Sequence, residues 1–211
     1  MTLIRRLFLT LALAPALLGS ALGASAVVAA DLPEVTAADR VMGRADAPVT
    51  VVEYASFTCS HCADWQTEVL PTFKARFIDT GRVRLVFRNL PTRPAEISMT
   101  AAGIAHCAAP DHFFAVAESF FKGQPALFAG GSTWFQDAIA VSGRTRPEIE
   151  ACFRDPATNA ALQAEVAGAA AAGVEGTPTF FVNGRKTADH TLATLTAAID
   201  AAAPSAAASG R

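Results

Sequence analysis

Residues 49–65, VTVVEYASFTCSHCADW, run from a β-branched stretch directly into a pair of cysteines. The stretch Val49–Tyr54 predicts a buried strand, because β-branched side chains pack well on a pleated sheet. Over residues 60–77 an apolar side chain recurs at every fourth position, which predicts a helix with one apolar face. Pro71 is expected to kink this helix. Cys59 therefore stands where a strand gives way to a helix.

The position of Cys59 predicts a reactive thiolate. Unpaired backbone N–H groups and the dipole at a helix N-terminus favour an anion and lower the pKa of a cysteine placed there. Cys62, one turn further along, is expected to be better shielded and to resolve the mixed disulfide formed at Cys59. His61 lies between them, and its imidazole is expected to donate to the Cys59 thiolate or to place positive charge near it. A stabilised thiolate stabilises the dithiol, so the disulfide form would be a stronger oxidant.

A C-x-x-C motif can also be half of a zinc site or a structural disulfide. A zinc site needs a second pair of ligands, whereas Cys107 and Cys152 stand far apart and singly. The remaining histidines have no ligand-like spacing, and these are His106, His112 and His190. A structural disulfide across so short a loop would constrain little of the unfolded chain. We therefore favour a redox-active pair, with no metal and no cofactor beyond the Cys59–Cys62 disulfide.

The first thirty residues predict a secretory signal peptide. Arg5 and Arg6 precede an apolar run over residues 7–18, and small residues follow, so that cleavage is expected after Ala26 or Ala30. A membrane anchor is disfavoured because the run is shorter than the roughly 20 residues that a spanning helix needs. General secretion is favoured over the twin-arginine route, because the segment is very apolar. The predicted location is the periplasm.

Export bears on the other two cysteines and on the possible partners. Disulfides persist outside the cytoplasm, so Cys107 and Cys152 are expected to form a structural disulfide. Closing a loop of about 45 residues would stabilise the fold by roughly 4 kcal/mol; a second redox-active pair is the alternative. Without the signal segment the chain holds 15 basic and 19 acidic residues and no basic cluster. These charges argue against nucleic acid as a partner.

The rest of the chain predicts a small α/β layer split by helices. Residues 83–88 alternate, with Val83, Leu85 and Phe87 on a buried face and Arg84 and Arg88 on the other. The predicted units are a β-α-β part over residues 31–94, an all-helical insertion over residues 95–172, a β-β-α part over residues 173–202 and a flexible tail over residues 203–211. Within the third unit, Asn183-Gly184 predicts a hairpin after a strand at Thr179–Val182.

The segments VVEYASFTCSHC and GTPTFFVNG, with the helical block between them, resemble the thioredoxin superfamily and, within it, the bacterial DsbA-like thiol–disulfide oxidoreductases. The resemblance covers roughly residues 47–201. It implies a thioredoxin-like fold, in which a central mixed sheet is flanked by helices and carries an inserted all-helical subdomain. It also implies that Pro178 is a cis-proline beside the cysteine pair and that the Thr177 backbone pairs with the bound substrate. DsbA commonly has Val at the position of Thr177.

The same resemblance assigns roles to Glu53 and Ser60. Glu53 matches a buried acid beneath the disulfide, which implies that it accepts the proton of Cys62; a strand glutamate whose head reaches water is the alternative. The lysine that partners this acid in DsbA is replaced here by Phe87. Ser60, with His61, forms the variable dipeptide that is Pro-His in DsbA, and Ser60 is expected near the substrate.

These features predict a periplasmic enzyme that donates the Cys59–Cys62 disulfide to unfolded exported polypeptides. The family implies a membrane quinone-linked, DsbB-like partner that reoxidises it, and a monomer is expected. A disulfide reductase, an isomerase or a dedicated assembly factor on the same fold are the alternatives within the class. A chaperone-like peptide-binding module with a structural disulfide is the non-enzymatic alternative.

Overall fold

The computed structural model describes residues 32–131 and 133–203, so the predicted signal peptide and residues 204–211 of the predicted tail lie outside it. One five-stranded sheet has the order β1-β3-β2-β4-β5. β2 and β3 are parallel, and the other neighbouring pairs are antiparallel. The strands are β1 (Arg40–Met42), β2 (Val49–Ala55), β3 (Val83–Asn89), β4 (Thr179–Val182) and β5 (Arg185–Lys186). The sheet is therefore mixed, as the sequence predicts.

Helices cover both faces of this sheet. A segment named here the active-site helix follows β2 and consists of α1 (Ser60–Asp64), a π-helical turn (Trp65–Val69), α2 (Leu70–Phe73) and a second π-helical turn (Lys74–Ile78). Between β3 and β4 lie α3 (Ala95–His106), a 3-10 turn (Pro110–His112), α4 (Phe113–Phe128), α5 (Trp134–Ala140), α6 (Arg146–Phe153) and α7 (Pro156–Ala171). The chain's described part ends in α8 (Leu192–Ala202). No helix in this part has the length and hydropathy to cross a membrane.

The predicted helix over residues 60–77 forms, and its disturbance at Pro71 takes the form of a π-helical turn. The Leu70 N–H donates to the carbonyl of Trp65, five residues back. Pro71 has no N–H to donate, so the ladder of hydrogen bonds cannot continue regularly through it. β1 escaped the sequence analysis, because three residues at the edge of a sheet are too few to show a pattern of alternation.

The prediction that β3 has only one buried face is wrong. Val83, Leu85 and Phe87 are buried as predicted, but Arg88 is also buried, with 5% of its surface exposed. Its guanidinium forms a salt bridge with Asp39 at 2.8 Å and donates to the carbonyls of two residues of the N-terminal segment. β3 lies inside the sheet, and this segment and α7 cover its second face, so a charged residue there needs a buried partner.

The core lies on both sides of the sheet. On one side the active-site helix and α8 pack over β2, β3 and β4 through Trp65, Phe73, Phe180 and Leu195. The helical block continues this side beyond the end of β2, where Phe57 contacts Phe87, Phe120 and Phe121. The end of α7 covers the opposite side. β2, at the centre of the sheet, thus ends among packed aromatic rings immediately before Cys59, and these rings fix the point from which α1 begins.

Candidate active site

Cys59 is the N-cap residue of α1. Its backbone is extended, with φ −87° and ψ 120°, and its carbonyl accepts the N–H of Ala63 at 3.1 Å, which closes the first helical turn. Its own N–H donates to the carbonyl of Ser56 at 3.1 Å. The first free N–H groups of the helix therefore surround the Cys59 sulfur, where they favour a negative charge.

Gln124, in α4 of the helical block, holds the backbone on both sides of this junction. Its Nε2 donates to the carbonyl of Phe57 at 2.9 Å and to that of Cys59 at 3.1 Å. The residue is 3% exposed. The helical block thus fixes the loop that presents Cys59. The sequence analysis missed Gln124, although a glutamine in the apolar segment FFKGQPALF is a signal that something buried needs a donor.

The loop before β4 meets Cys59 from the other side. In its thiol form, the Cys59 Sγ donates to the Thr177 carbonyl oxygen at 3.3 Å, across 118 residues of sequence. The Thr177–Pro178 peptide bond is cis. The Thr177 hydroxyl oxygen is buried. The residues predicted to contact the substrate therefore lie directly against the sulfur predicted to react.

These surroundings lower the pKa of Cys59 to about 5. The Cys62 thiol, as a hydrogen-bond donor, makes the largest contribution, and the Thr177 side chain and the backbone N–H groups of Cys62 and His61 add to it, against the opposing effect of burial. A cysteine with this pKa is a thiolate at neutral pH, and the thiolate is the form that attacks a disulfide. Cys59 is partly exposed, so a substrate can reach it.

Cys62 has the opposite character. It is fully buried, and burial is the main cause that raises the pKa of its thiol far above the ordinary value; the nearby Cys59 and the charge of Glu53 act in the same direction. Both cysteines are free thiols in the structure, which therefore represents the dithiol state. Because Cys62 holds its proton, a base must remove it before this sulfur can attack.

Glu53 is fully buried in β2, beneath the cysteine pair. Its Oε2 accepts a hydrogen bond from Gln66 Nε2 at 2.8 Å, and its Oε1 is buried without a hydrogen-bond partner among the described residues. Burial raises the pKa of Glu53 to about 8, against the lowering effect of Gln66, and the Cys59 charge raises it as well. Phe87 is its register partner on β3, in place of a lysine. Glu53 is thus poised to exchange a proton near neutral pH.

Replacing Glu53 with glutamine is expected to stabilise the dithiol protein above pH 5. The pKa of Glu53 rises on folding from its ordinary value of 4.5 to about 8, so between these values the folded chain holds a proton that the unfolded chain has lost. Stability then falls as pH rises through this window, by about 3 kcal/mol at pH 7. Anaerobic urea unfolding of both proteins from pH 4.5 to 9 measures the difference. A difference that stays constant over this range contradicts the buried, protonated acid.

His61 and Ser60 are both exposed at the start of α1. The contribution of His61 to the low pKa of Cys59 comes from its backbone N–H. His61 lines a groove of about 260 Å³ beside the active-site helix, together with Asp64, Glu68 and His190. Ser60 stands next to Cys59 on the solvent side, so its position is open to a substrate chain.

Cys107 and Cys152 form a disulfide that joins the end of α3 to α6 within the helical block. Cys107 is buried and Cys152 is packed against the same core. Within the described residues, no group of three or more histidine, cysteine or acidic side chains comes together in a way that could hold a metal ion.

Comparison with known proteins places this architecture in a family. The family model described as Thioredoxin matches residues 35–201. A Rickettsia bellii protein named "Putative protein-disulfide oxidoreductase" is 29% identical over 168 residues, which cover 78% of this chain and 64% of that protein. The chain thus spans less than two thirds of the length of this relative. A Bacillus cereus protein named "Probable disulfide bond formation protein D" is 48% identical over 50 residues, 24% of this chain and 23% of that protein.

Solved structures share the fold. Wolbachia pipientis alpha-DsbA1 superimposes with a TM-score of 0.69 at 25% identity, and the match covers 82% of this chain and 94% of that one. Bacillus subtilis BdbD, in its oxidised form, superimposes with a TM-score of 0.68 at 22% identity, covering 78% and 92% of the two chains. The predicted thioredoxin-like fold with its helical block is confirmed. The chain belongs to the thioredoxin family and has the fold of its DsbA-type members.

Proposed function

We propose that this protein is a thiol–disulfide oxidoreductase that introduces disulfide bonds into exported proteins through Cys59 and Cys62. The observation that carries the proposal is the pairing of a partly exposed Cys59, whose pKa is lowered to about 5, with a buried Cys62 whose pKa is raised. One sulfur is a ready nucleophile and leaving group, and the other is protected from solvent. Relatives named as protein-disulfide oxidoreductases support the same activity.

In the oxidising direction a substrate thiolate attacks the Cys59 sulfur of the Cys59–Cys62 disulfide. A mixed disulfide forms, and Cys62 leaves as a thiolate that takes a proton from Glu53. A second substrate thiolate then attacks the substrate sulfur of the mixed disulfide and releases Cys59 as a thiolate. The substrate gains a disulfide and loses two electrons, which the cysteine pair now holds. Stabilisation of the released Cys59 thiolate favours this direction, because a thiol of low pKa is a good leaving group.

The catalytic cycle requires an oxidant for the dithiol that the protein does not itself contain. We assign this role to a membrane quinone-linked, DsbB-like partner and place the cycle in the periplasm. The apolar segment over residues 7–18 and the Cys107–Cys152 disulfide support this location, because disulfides persist mainly outside the cytoplasm. The substrate is then an unfolded exported polypeptide with reduced cysteines.

Oxidation of reduced, unfolded ribonuclease A tests the activity. We expect a stoichiometric amount of the disulfide form to consume ribonuclease thiols much faster than oxidised glutathione at equal concentration, and free thiols to appear on this protein in equal number. Mass spectrometry of alkylated samples counts both. Oxidation no faster than with glutathione contradicts the proposal. If, in addition, the dithiol form rapidly reduces insulin disulfides, the protein is a reductase; inactivity in both assays indicates a binding module.

A further inference from the structure

Glu53 exchanges its proton at a site that is closed to solvent. Glu53 is 0% exposed, and its register partners on the two neighbouring strands are aromatic, Phe87 on β3 and Phe180 on β4. Neither ring can carry a proton. The active-site helix closes the remaining side with Cys62 and Gln66, and Gln66 Nε2 donates to Glu53 Oε2 at 2.8 Å. Gln66 is therefore a polar group in direct contact with the buried carboxyl.

Gln66 also borders a cavity. A space of about 520 Å³ lies between the active-site helix and α4, and Gln66 lines it together with Leu70, Phe114 and Phe121. Gln66 itself is partly exposed. Its side chain thus reaches from the buried carboxyl to a space large enough for several water molecules. Three charged residues also line this space, and these are Lys74, Glu118 and Lys122.

The Gln66 amide has a definite effect on the two protonation states of Glu53. An N–H donor stabilises the carboxylate more than the neutral acid, so it acts against the burial that keeps Glu53 protonated. It also fixes one carboxyl oxygen and leaves the buried Oε1 without a hydrogen-bond partner among the described residues. Oε1 is then the oxygen at which a proton can be received.

We propose that Gln66 is a positioning residue for Glu53: it holds one carboxyl oxygen by a hydrogen bond, so that the other exchanges a proton with Cys62. This inference rests on the proposed function and adds the residue that holds the buried acid in place. Gln66 acts through Glu53, to which it donates its hydrogen bond.

The step that depends on Gln66 is resolution of a mixed disulfide during oxidation of the dithiol by oxidised glutathione. The Cys59 thiolate first attacks the glutathione disulfide and releases one glutathione thiolate. Cys62 then gives its proton to the Glu53 carboxylate, and the Cys62 thiolate attacks the Cys59 sulfur and releases the second glutathione thiolate. Two electrons pass from the cysteine pair to glutathione, and the proton of Cys62 is then on Glu53.

The groups that can influence the titration of Glu53 come from each element around it. The active-site helix contributes the thiols of Cys59 and Cys62, which are coupled to Glu53. β3 and β4 present the uncharged rings named above. Across the cavity, Lys74 stands on the active-site helix, and Glu118 and Lys122 form an ion pair on α4. A substitution at Gln66 leaves all of these groups in place.

Gln66→Met removes the donor and keeps an unbranched side chain of similar size. We expect the second step to slow about tenfold at pH 7, the effect of losing a hydrogen bond to a charged group, and its pH midpoint to rise by about one unit. The first step is expected to keep its rate. Reactions with oxidised glutathione are quenched at timed intervals from pH 5 to 9. Mass spectrometry of the quenched protein then measures formation and resolution of the mixed disulfide separately. Gln163→Met, the same change on the exposed surface of α7, is the matched control and is expected to leave both steps unchanged.

A double-variant cycle separates positioning from general damage to the fold. In the Glu53→Gln background, Gln66→Met is expected to have no further effect on the second step. An equal slowing in both backgrounds, or an unchanged second step and midpoint in Gln66→Met, overturns the inference. Neither result contradicts the proposed function. That function is contradicted separately if the wild-type protein does not form and resolve the mixed disulfide at Cys59.

Discussion

Cys59→Ser is expected to reduce thiol–disulfide exchange to the uncatalysed rate, while Cys62→Ser is expected to keep the first step and stop at the mixed disulfide. The two cysteines differ in this way because only Cys59 is both exposed and ionised. Serine cannot form a disulfide and its hydroxyl stays protonated, so no residual nucleophile remains at position 59. With Cys62 absent, the mixed disulfide on Cys59 has no internal thiol to resolve it.

Reaction of each variant with oxidised glutathione, followed by intact-mass analysis, distinguishes these outcomes. Cys62→Ser is expected to carry one glutathione per chain within seconds and to keep it, whereas Cys59→Ser carries none. The Cys107–Cys152 disulfide is present in both variants, so a mass shift reports only the C-x-x-C pair. Rapid glutathionylation of Cys59→Ser, at Cys62, would show that the reactive and buried cysteines have been assigned the wrong way round.

Removing the second disulfide is expected to have the largest effect on stability. In the Cys107→Ala/Cys152→Ala variant the unfolded chain regains the freedom of a loop that spans 45 residues. The chain-entropy model gives about 4 kcal/mol for a loop of this length. The cost falls on the helical block, because the bond ties α3 to α6 beside the aromatic core that supports Phe57 and Gln124.

Urea unfolding of the wild-type and double-alanine proteins, each with the C-x-x-C pair oxidised, measures this difference. The rate of alkylation of Cys59, measured on the dithiol form of both proteins, is expected to be unchanged, because the pKa of Cys59 depends on groups around α1 and Thr177. A loss of free energy of unfolding below about 1 kcal/mol would contradict a structural role for the bond. A large change in the reactivity of Cys59 would favour the alternative of a second redox-active pair.

Much of the fold could be predicted because its local patterns are strong. A β-branched run, an apolar side chain at every fourth residue and an Asn-Gly hairpin each specify an element over a few residues. The burial of Arg88 could not be predicted, because it depends on an N-terminal segment some fifty residues away that supplies Asp39 and two carbonyls. Alternation in a strand indicates two faces, but it does not show whether a distant segment covers the second.

Some residues of the candidate site could likewise be predicted from the sequence, and others could not. The strand-to-helix junction predicts the placement of Cys59 and Cys62, and the resemblance to DsbA-like proteins implies that of Glu53. Gln66 was not predicted, because its position on the helix carries no signal of its own, and Gln124 was not predicted although its apolar surroundings offered one. Their contacts depend on tertiary packing. Gln66, on the active-site helix, donates to Glu53 of β2, and Gln124, on α4, donates to the carbonyl of Phe57 just after β2.

The central claim is that the Cys59 thiolate is stabilised enough to make the Cys59–Cys62 disulfide an oxidant. Equilibration of the pair with glutathione redox buffers, quenched in acid and counted by mass spectrometry, gives its reduction potential. The account predicts a value less negative than about −200 mV, in the range of strong dithiol oxidants. A value near the −270 mV typical of thioredoxin, at roughly the same pH, would contradict it.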